Sequence, residues 1–315
     1  MPCCRQKILW HIVKLKFFCS YQGIAEISVV SKRVSRRHNV GWLVTFLIYY
    51  DNGIMDDTGY ATELLSKKIF FLYPSVVVQN HVIAELIQQE YEIYTAKDHF
   101  ALKRVLKRYP HSIVFADIGE QMPEYEWETW IQNAMNSPET RGTAVGIISA
   151  NDDEILQRKY LNMVKIQCGY TVIGSDLNSS ILRICDILKT AEAKGRRKYI
   201  RATTEAETIC SINIPLNGTY INGTIKDISV VGLSCVFDTD PKLEKNTLFR
   251  DIQIKLQSII LKVEGIVFGT RMDGRSKIYV LLFTQRIDSE ARAKIRKYMQ
   301  QNLQSKMDAE LISRN

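Results

Sequence analysis

The central part of the chain alternates short apolar runs with segments in which apolar residues recur every three or four positions. Such runs are typical of strands buried on both faces, and the periodic segments are typical of amphipathic helices. Five strands are predicted, at residues 68–73, 91–95, 112–117, 143–149 and 169–173. Five helices alternate with them, at 78–89, after the N-cap candidate Asp98, and at 124–135, 152–164 and 177–188. This order indicates a doubly wound parallel sheet.

The pattern changes after residue 195 to short alternating strands separated by turn residues. Six strands are predicted, at 207–214, 218–227, 233–237, 251–256, 260–269 and 278–285. Strands at this spacing favour a small antiparallel barrel. A basic amphipathic helix over 288–303 follows, with Ala291, Ile295 and Met299 on one face. The fold class is therefore α/β followed by all-β.

Composition and cysteine usage place the chain among ordinary globular proteins. Apolar residues make up 46% and charged residues 24% of its 315 positions, and the longest apolar run, Val40–Tyr50, is shorter than the roughly 18 residues of a membrane span. The seven cysteines form no CxxC pair and the five histidines are dispersed, which disfavours a disulfide framework or a zinc site. We expect reduced thiols in the cytoplasm, no metal and no cofactor, with Cys185 and Cys235 buried.

The positive charge is concentrated at the start of the chain. Residues 1–54 carry eight Lys or Arg and only two acids, whereas the whole chain has a net charge of +8. The cluster at 32–37 is either an arm that binds phosphates or anionic lipid, or part of a solvated, poorly ordered tail. Alternatively, translation starts at Met55 and the preceding segment is an over-extended gene start. No function is assigned to residues 1–54.

The α/β part resembles a two-component receiver domain with the flavodoxin-like strand arrangement. Asp117 ends the third strand, where a receiver carries its phosphoacceptor, and Ser149 ends the fourth. A receiver also needs an acidic pair that holds Mg²⁺ after the first strand, but residues 73–75 are Tyr-Pro-Ser. Its Lys-Pro after the fifth strand is replaced by Gly-Ser at 174–175. Asp117 is then a vestigial phosphoacceptor or an ordinary strand-end carboxylate, and the domain serves interaction or dimerisation.

Two motifs mark the barrel part. Arg197-x-x-x-Arg201 precedes its first strand, and Asp227-x-Ser229-x-x-Gly232 lies between the second and third. Together they resemble the PilZ domain, whose signature is RxxxR followed by [D/N]xSxxG, over about 110 residues. The resemblance implies a six-stranded barrel with a trailing helix that binds the bacterial second messenger cyclic di-GMP.

The resemblance also implies which residues bind this ligand. They are Arg197, Arg201, Asp227, Ser229 and Gly232. Arginine donates bidentately to phosphate oxygens or to guanine O6 and N7, and a carboxylate accepts from the guanine N1–H and N2–H groups. Arg196 is adjacent to the first motif and is a candidate for an additional contact that the motif does not require. The plainer alternative is a solvated basic linker and an Asx-type turn.

These observations predict a basic segment at 1–54, a receiver-like domain at 55–190, a linker at 191–202, and a PilZ barrel with its helix at 203–315. The predicted function is that of a non-enzymatic cytoplasmic receptor, in which cyclic di-GMP orders the linker and changes a contact with a protein effector. The resemblance implies roles in motility, adhesion or virulence. A homodimer is left open.

Three alternatives predict other observations. A receiver driven by phosphorylation of Asp117 needs an acidic Mg²⁺ pocket. A protein-interaction module without a ligand needs a folded barrel that does not bind cyclic di-GMP. A nucleic-acid binder needs aromatic residues among its cations, and only Tyr199 qualifies, so this class is disfavoured. An enzyme is disfavoured as well, because no nucleophile–base pair is evident.

Overall fold

A computed structural model describes residues 66–119, 121–140, 142–174, 176–195, 197–204 and 210–313, together with the backbone of five strands between residues 10 and 62. The chain divides into two compact units, residues 1–65 and 66–315. The expectation of a poorly ordered tail or an over-extended gene start over residues 1–54 falls outside the described residues, apart from those strand backbones.

The five strand backbones of the first unit form one sheet in sequential order. They are β1 (Trp10–Phe18), β2 (Ile24–Arg36), β3 (Asn39–Tyr50), β4 (Gly53–Met55) and β5 (Ala61–Thr62). Neighbouring strands pair antiparallel throughout.

The second unit begins with an α/β domain in which each strand is followed by a helix. Its strands are β6 (Ile69–Leu72), β7 (Ile93–Ala96), β8 (Ile113–Asp117), β9 (Ala144–Ser149) and β10 (Tyr170–Val172). Its helices are α1 (Ala84–Gln88, after a π-helical turn Val78–Ile83), α2 (His99–Arg108), α3 (Glu124–Asn136, with a 3₁₀ turn Pro138–Thr140 after it), α4 (Glu154–Arg158, continued by a π-helical turn Lys159–Val164) and α5 (Leu177–Thr190).

The sheet of this domain is parallel, with the strand order β10-β9-β8-β6-β7. The interior strand β6 is buried on both faces, as expected for a parallel sheet covered by helices. One apolar core lies between the sheet and α1 and α5, and the other holds α2, α3 and the π-helical turn after α4. The predicted doubly wound, flavodoxin-like sheet is therefore confirmed. Trp127 and Trp130 are buried in the second core, so they are packing residues.

The second domain is a closed antiparallel barrel. Its strands are β11 (Ala202–Thr203), β12 (Cys210–Leu216), β13 (Thr219–Ser229), β14 (Gly232–Phe237), β15 (Leu248–Leu256), β16 (Ile259–Asp273) and β17 (Ser276–Phe283). The sheet order is β11-β13-β12-β15-β16-β17-β14, and an additional β13–β14 pairing closes the ring. The six-stranded barrel is confirmed, and the two-residue β11 is an addition to it. Cys235 is buried in its core and Cys185 in the α/β domain, as predicted.

The C-terminal helix α6 (Ser289–Ile312) contacts both domains. Ala291, Ile295 and Met299 pack into the barrel core, while Met307 packs into a core of the α/β domain. The predicted end of this helix at residue 303 was too early by about two and a half turns. The extra length continues an apolar stripe through Leu303, Met307 and Leu311, which pack against a core of the α/β domain, so the sequence carried this signal and the prediction stopped short of it.

Gln304 pairs with the free edge of β7. Its side-chain Oε1 accepts from the backbone N–H of Thr95 and its Nε2 donates to the carbonyl of Thr95, both at 2.9 Å. One turn earlier, Gln300 donates to the carbonyl of Ile93 at 2.9 Å. Backbone groups at a sheet edge otherwise remain open to another chain, so α6 both covers this edge and joins the two domains.

Candidate functional site

The linker reaches the barrel through β11. Ala202 pairs with Ile228 and Thr203 with Asp227 in antiparallel register, and Ala202 is fully buried. This pairing fixes the backbone that immediately follows Arg201 against the strand that carries Asp227. The two motifs, which are 26 residues apart in sequence between Arg201 and Asp227, are therefore brought together by main-chain hydrogen bonds.

A β-bulge determines the orientation of Asp227. The β13–β14 register shifts between Ile225 and Asp227, so that one extra residue lies on β13. Bulges of this kind redirect side chains at functional positions. Asp227 then stands directly across from Ser234, whose buried hydroxyl donates to Asp227 Oδ2. The Asp227 side chain is 17% exposed. With Oδ2 bound by Ser234, Oδ1 is the oxygen with more capacity to accept from a ligand.

Two arginines flank this carboxylate. Arg201 Nη1 lies 4.0 Å from Asp227 Oδ1, and Arg271 Nη2, from β16, lies 4.0 Å from Asp227 Oδ2. Both distances are too long for hydrogen bonds. The two arginine side chains are 48% and 50% exposed, and ion pairs of this kind contribute about 0–1 kcal/mol. The two guanidinium groups therefore lie near Asp227 without forming hydrogen bonds to it.

Ser229 and Gly232 form the two sides of a tight hairpin. They pair across the turn made by Val230 and Val231, and Ser229 Oγ donates to the carbonyl of Gly232 at 3.1 Å. A Cβ atom on Gly232 would lie 2.3 Å from the carbonyl oxygen of Leu281, so this position requires glycine. Ser229 is only 5% exposed, and in this arrangement its hydroxyl supports the turn that carries Asp227.

The structure gathers some of the predicted site residues and leaves others apart. Four of them are brought together. Arg201 immediately precedes β11, and the other three, Asp227, Ser229 and Gly232, belong to the β13–β14 hairpin. Arg197 is exposed on the linker, and among the described residues it forms no ion pair with the hairpin. Arg196 lies outside the described residues.

Glu90 connects the linker to both domains. It belongs to the α/β domain, has a left-handed backbone (φ 63°), and its side chain is only 9% exposed. Its Oε2 accepts from the backbone N–H of Ile200 at 3.3 Å, and its Oε1 accepts from Arg296 Nε of α6 at 3.2 Å. Ile200 is part of the Arg197–Arg201 motif, so the Glu90 carboxylate links that motif to the α/β domain and to α6.

Asp117 lies apart from these residues, at the carboxyl edge of the parallel sheet. Its Oδ2 accepts from the backbone N–H of Ser75 at 2.8 Å. Burial raises the pKa of Asp117, although the hydrogen bonds from Ser75 oppose the shift. Ser149 ends the neighbouring strand and is buried, whereas Ser175 lies outside the described residues. Within the described part of the chain, no three His, Cys, Asp or Glu side chains are grouped as metal ligands.

Sequence reasoning missed two residues of the site, Ser234 and Arg271. Ser234 directly faces Asp227 across a strand pair, so a correct β13–β14 register that included the bulge could have identified it. Arg271 lies beyond the predicted end of its strand at residue 269 and belongs to neither motif. No signal in a single sequence distinguishes it from the other exposed arginines.

Comparison with known proteins identifies the second domain. The family model of the PilZ domain matches residues 195–301, and no curated protein matches the chain. In the described part of the chain, no helix has the length and apolar character of a membrane span.

Solved structures with similarity to the chain include three named proteins. The PilZ domain with c-di-GMP of YcgR from Escherichia coli is 12% identical and aligns over 36% of this chain and 96% of that one, with a TM-score of 0.32. The K. pneumonia MrkH–c-di-GMP complex is 20% identical over 32% and 50%, with a TM-score of 0.30. The Bacillus subtilis inhibitor of motility MotI is 16% identical over 33% and 49%, with a TM-score of 0.29.

For MrkH and MotI the aligned region therefore spans about half of the other protein. The matched residues of this chain begin at the Arg197–Arg201 linker, include the closed barrel and end within α6. Residues 195–301 form a PilZ domain.

Proposed function

We propose that this chain is a non-enzymatic receptor for cyclic di-GMP, which binds where the linker meets the barrel. The observation that carries the proposal is the pairing of Arg201 with Asp227, 4.0 Å apart and both accessible to a ligand. Cyclic di-GMP is a dianion with two guanine bases, so it needs cations for its phosphates and an acceptor for the guanine N1–H and N2–H groups. At this site a guanidinium cation and a carboxylate acceptor lie side by side.

Each motif residue has a role in this proposal. Arg197 and Arg201 bind phosphate oxygens or the guanine O6/N7 edge, and Asp227 accepts from the opposite edge of guanine through Oδ1. Ser229 and Gly232 hold the hairpin close enough for backbone contact with the ligand. Arg196 precedes Arg197 in sequence and is a candidate for an additional contact.

Binding would be transmitted through the linker. Ordering of the Arg197–Arg201 segment on the ligand moves or fixes Ile200, whose N–H is bonded to Glu90. Glu90 in turn holds Arg296 of α6, the helix that packs on both domains. A ligand with different affinities for two linker positions therefore shifts the placement of the α/β domain. The output is an altered contact with a protein effector in the cytoplasm, in a process such as motility, adhesion or virulence.

Isothermal titration of the full chain with cyclic di-GMP tests the proposal. We expect saturable binding that excess cyclic di-AMP and GTP do not displace, and that Arg201→Ala weakens at least tenfold. The matched control is Arg250→Ala, because Arg250 is an exposed arginine on β15. A folded wild-type chain that does not bind cyclic di-GMP would contradict the proposal and favour a module used only for protein contacts.

A further inference from the structure

Arg271 is part of neither motif, yet the barrel brings it to the same carboxylate as Arg201. It lies near the end of β16, paired with Ile278 of β17. Of the acids in the described part of the chain, Asp227 is the one within ion-pair distance, at 4.0 Å. Arg271 is thus 44 positions away from Asp227 in sequence and adjacent to it in the fold.

The geometry leaves the Arg271 guanidinium available to a ligand. Asp227 Oδ2, the nearer oxygen, already accepts the hydroxyl of Ser234. At 4.0 Å, Arg271 makes no hydrogen bond to it. A guanidinium has five N–H donors in a planar arrangement that matches phosphate. About half of the side chain is exposed, as is that of Arg201, so both side chains are accessible to a ligand.

The two arginines near Asp227 belong to different parts of the fold. Arg201 follows the linker and lies nearer Oδ1, whereas Arg271 is held on the barrel by the β16–β17 ladder and lies nearer Oδ2. A ligand over Asp227 would therefore meet one cation from the end of the linker and one from the β16–β17 ladder. A group already held in position loses less freedom on binding.

The charge of the cluster supports the same conclusion. Arg197, Arg201 and Asp227 alone have a net charge of +1, and Arg271 raises it to +2. A ligand with two phosphodiester groups has a charge of −2. With Arg271, the net charge of the site matches the charge of the two phosphates in magnitude. The motif residues without it leave one negative charge of the ligand uncompensated.

We propose that Arg271 is a third arginine of the ligand site and binds a phosphate oxygen of cyclic di-GMP from the barrel side, while the linker arginines close over the ligand from the other side. This inference rests on the proposed function, because it concerns the same ligand. It names a residue on which affinity depends although no signature motif contains it.

The test compares Arg271→Ala, Arg271→Lys and Arg275→Ala by isothermal titration of the full chain with cyclic di-GMP. Arg275 is exposed, lies four residues from Arg271 at the β16–β17 turn, and loses the same charge when replaced. Arg271→Ala should weaken binding at least tenfold, and Arg271→Lys should recover part of that loss because the charge remains. Arg275→Ala should stay within twofold of the wild-type chain. Thermal unfolding of each variant checks that the fold is retained.

The outcomes separate this inference from the proposed function. If the wild-type chain binds and Arg201→Ala weakens binding, but Arg271→Ala binds as tightly as Arg275→Ala, the role of Arg271 is refuted and the receptor function stands. If Arg271→Ala and Arg275→Ala weaken binding equally, the effect is one of overall charge and the proposed contact is wrong. If the folded wild-type chain does not bind at all, both proposals fail.

Discussion

Replacing Gly232 by alanine tests whether the β13–β14 hairpin determines the site. The added Cβ would lie 2.3 Å from the carbonyl oxygen of Leu281 and 3.2 Å from the Cα of Leu282. Since a favourable contact needs about 3.5 Å, β14 and β17 must separate by about 1 Å. Overpacking of this kind costs about 1–3 kcal/mol. For a unit of this size, 1 kcal/mol corresponds to about 2–4 °C, so Tm should fall by about 2–12 °C.

Binding should fall as well, because the displaced strand pairs with the one that carries Asp227 and Ser229. We expect Gly232→Ala to weaken cyclic di-GMP binding about tenfold, equivalent to ~1.4 kcal/mol. Thermal unfolding and isothermal titration measure the two effects. Gly269→Ala is the control, since an added Cβ there meets no atom within 4 Å, and its stability should change by less than about 0.5 kcal/mol. Equal Tm values for the two variants would refute the close-approach argument.

Three other substitutions test the remaining contacts. Gln304→Ala should cost about 1–3 kcal/mol in urea unfolding because two hydrogen bonds to the β7 edge are lost, whereas the exposed Gln301→Ala on the same helix should cost little; equal costs would contradict the role of the edge pairing. Asp117→Asn should stabilise the fold at pH 7, because burial raises the folded pKa above the unfolded value and so disfavours the charged carboxylate. That gain should fade as the pH falls through the folded pKa, and a gain that is the same at pH 7 and pH 4 would refute the assignment. Glu90→Gln should show a coupling of about 0.5–3 kcal/mol with Arg296→Ala in a double-mutant cycle, and additive effects would remove Glu90 as a link to α6.

Much of the fold could be predicted from the sequence because it depends on local signals. The apolar run at residues 69–72 is buried on both faces of the sheet, and Asp98 caps α2 by accepting from two backbone N–H groups, as its position predicted. The alternation of such elements determines the doubly wound order. The RxxxR and DxSxxG spacings likewise identified the part of the barrel where Arg201 and Asp227 meet.

The features that sequence reasoning missed depend on tertiary contacts. α6 continues to Ile312 with Met307 and Leu311 packed on the α/β domain and Gln304 paired with the edge of β7; the apolar spacing could be found in the sequence, but the pairing with β7 could not. Arg271 reaches Asp227 only through strand register across the closed barrel. β11 has two residues, too few for a pattern, although it is the pairing that places Arg201 beside the carboxylate.

Hydrogen–deuterium exchange of the full chain, with and without saturating cyclic di-GMP, tests the central claim most directly. The account predicts slower exchange in residues 197–204 and 227–234, where the linker closes on the hairpin, and a change around Glu90, which bonds to Ile200. The strands β6 and β8 in the centre of the parallel sheet should be unaffected. Slower exchange confined to other regions, or ligand binding that leaves the linker and the hairpin unchanged, would contradict a site at the junction of the linker and the barrel.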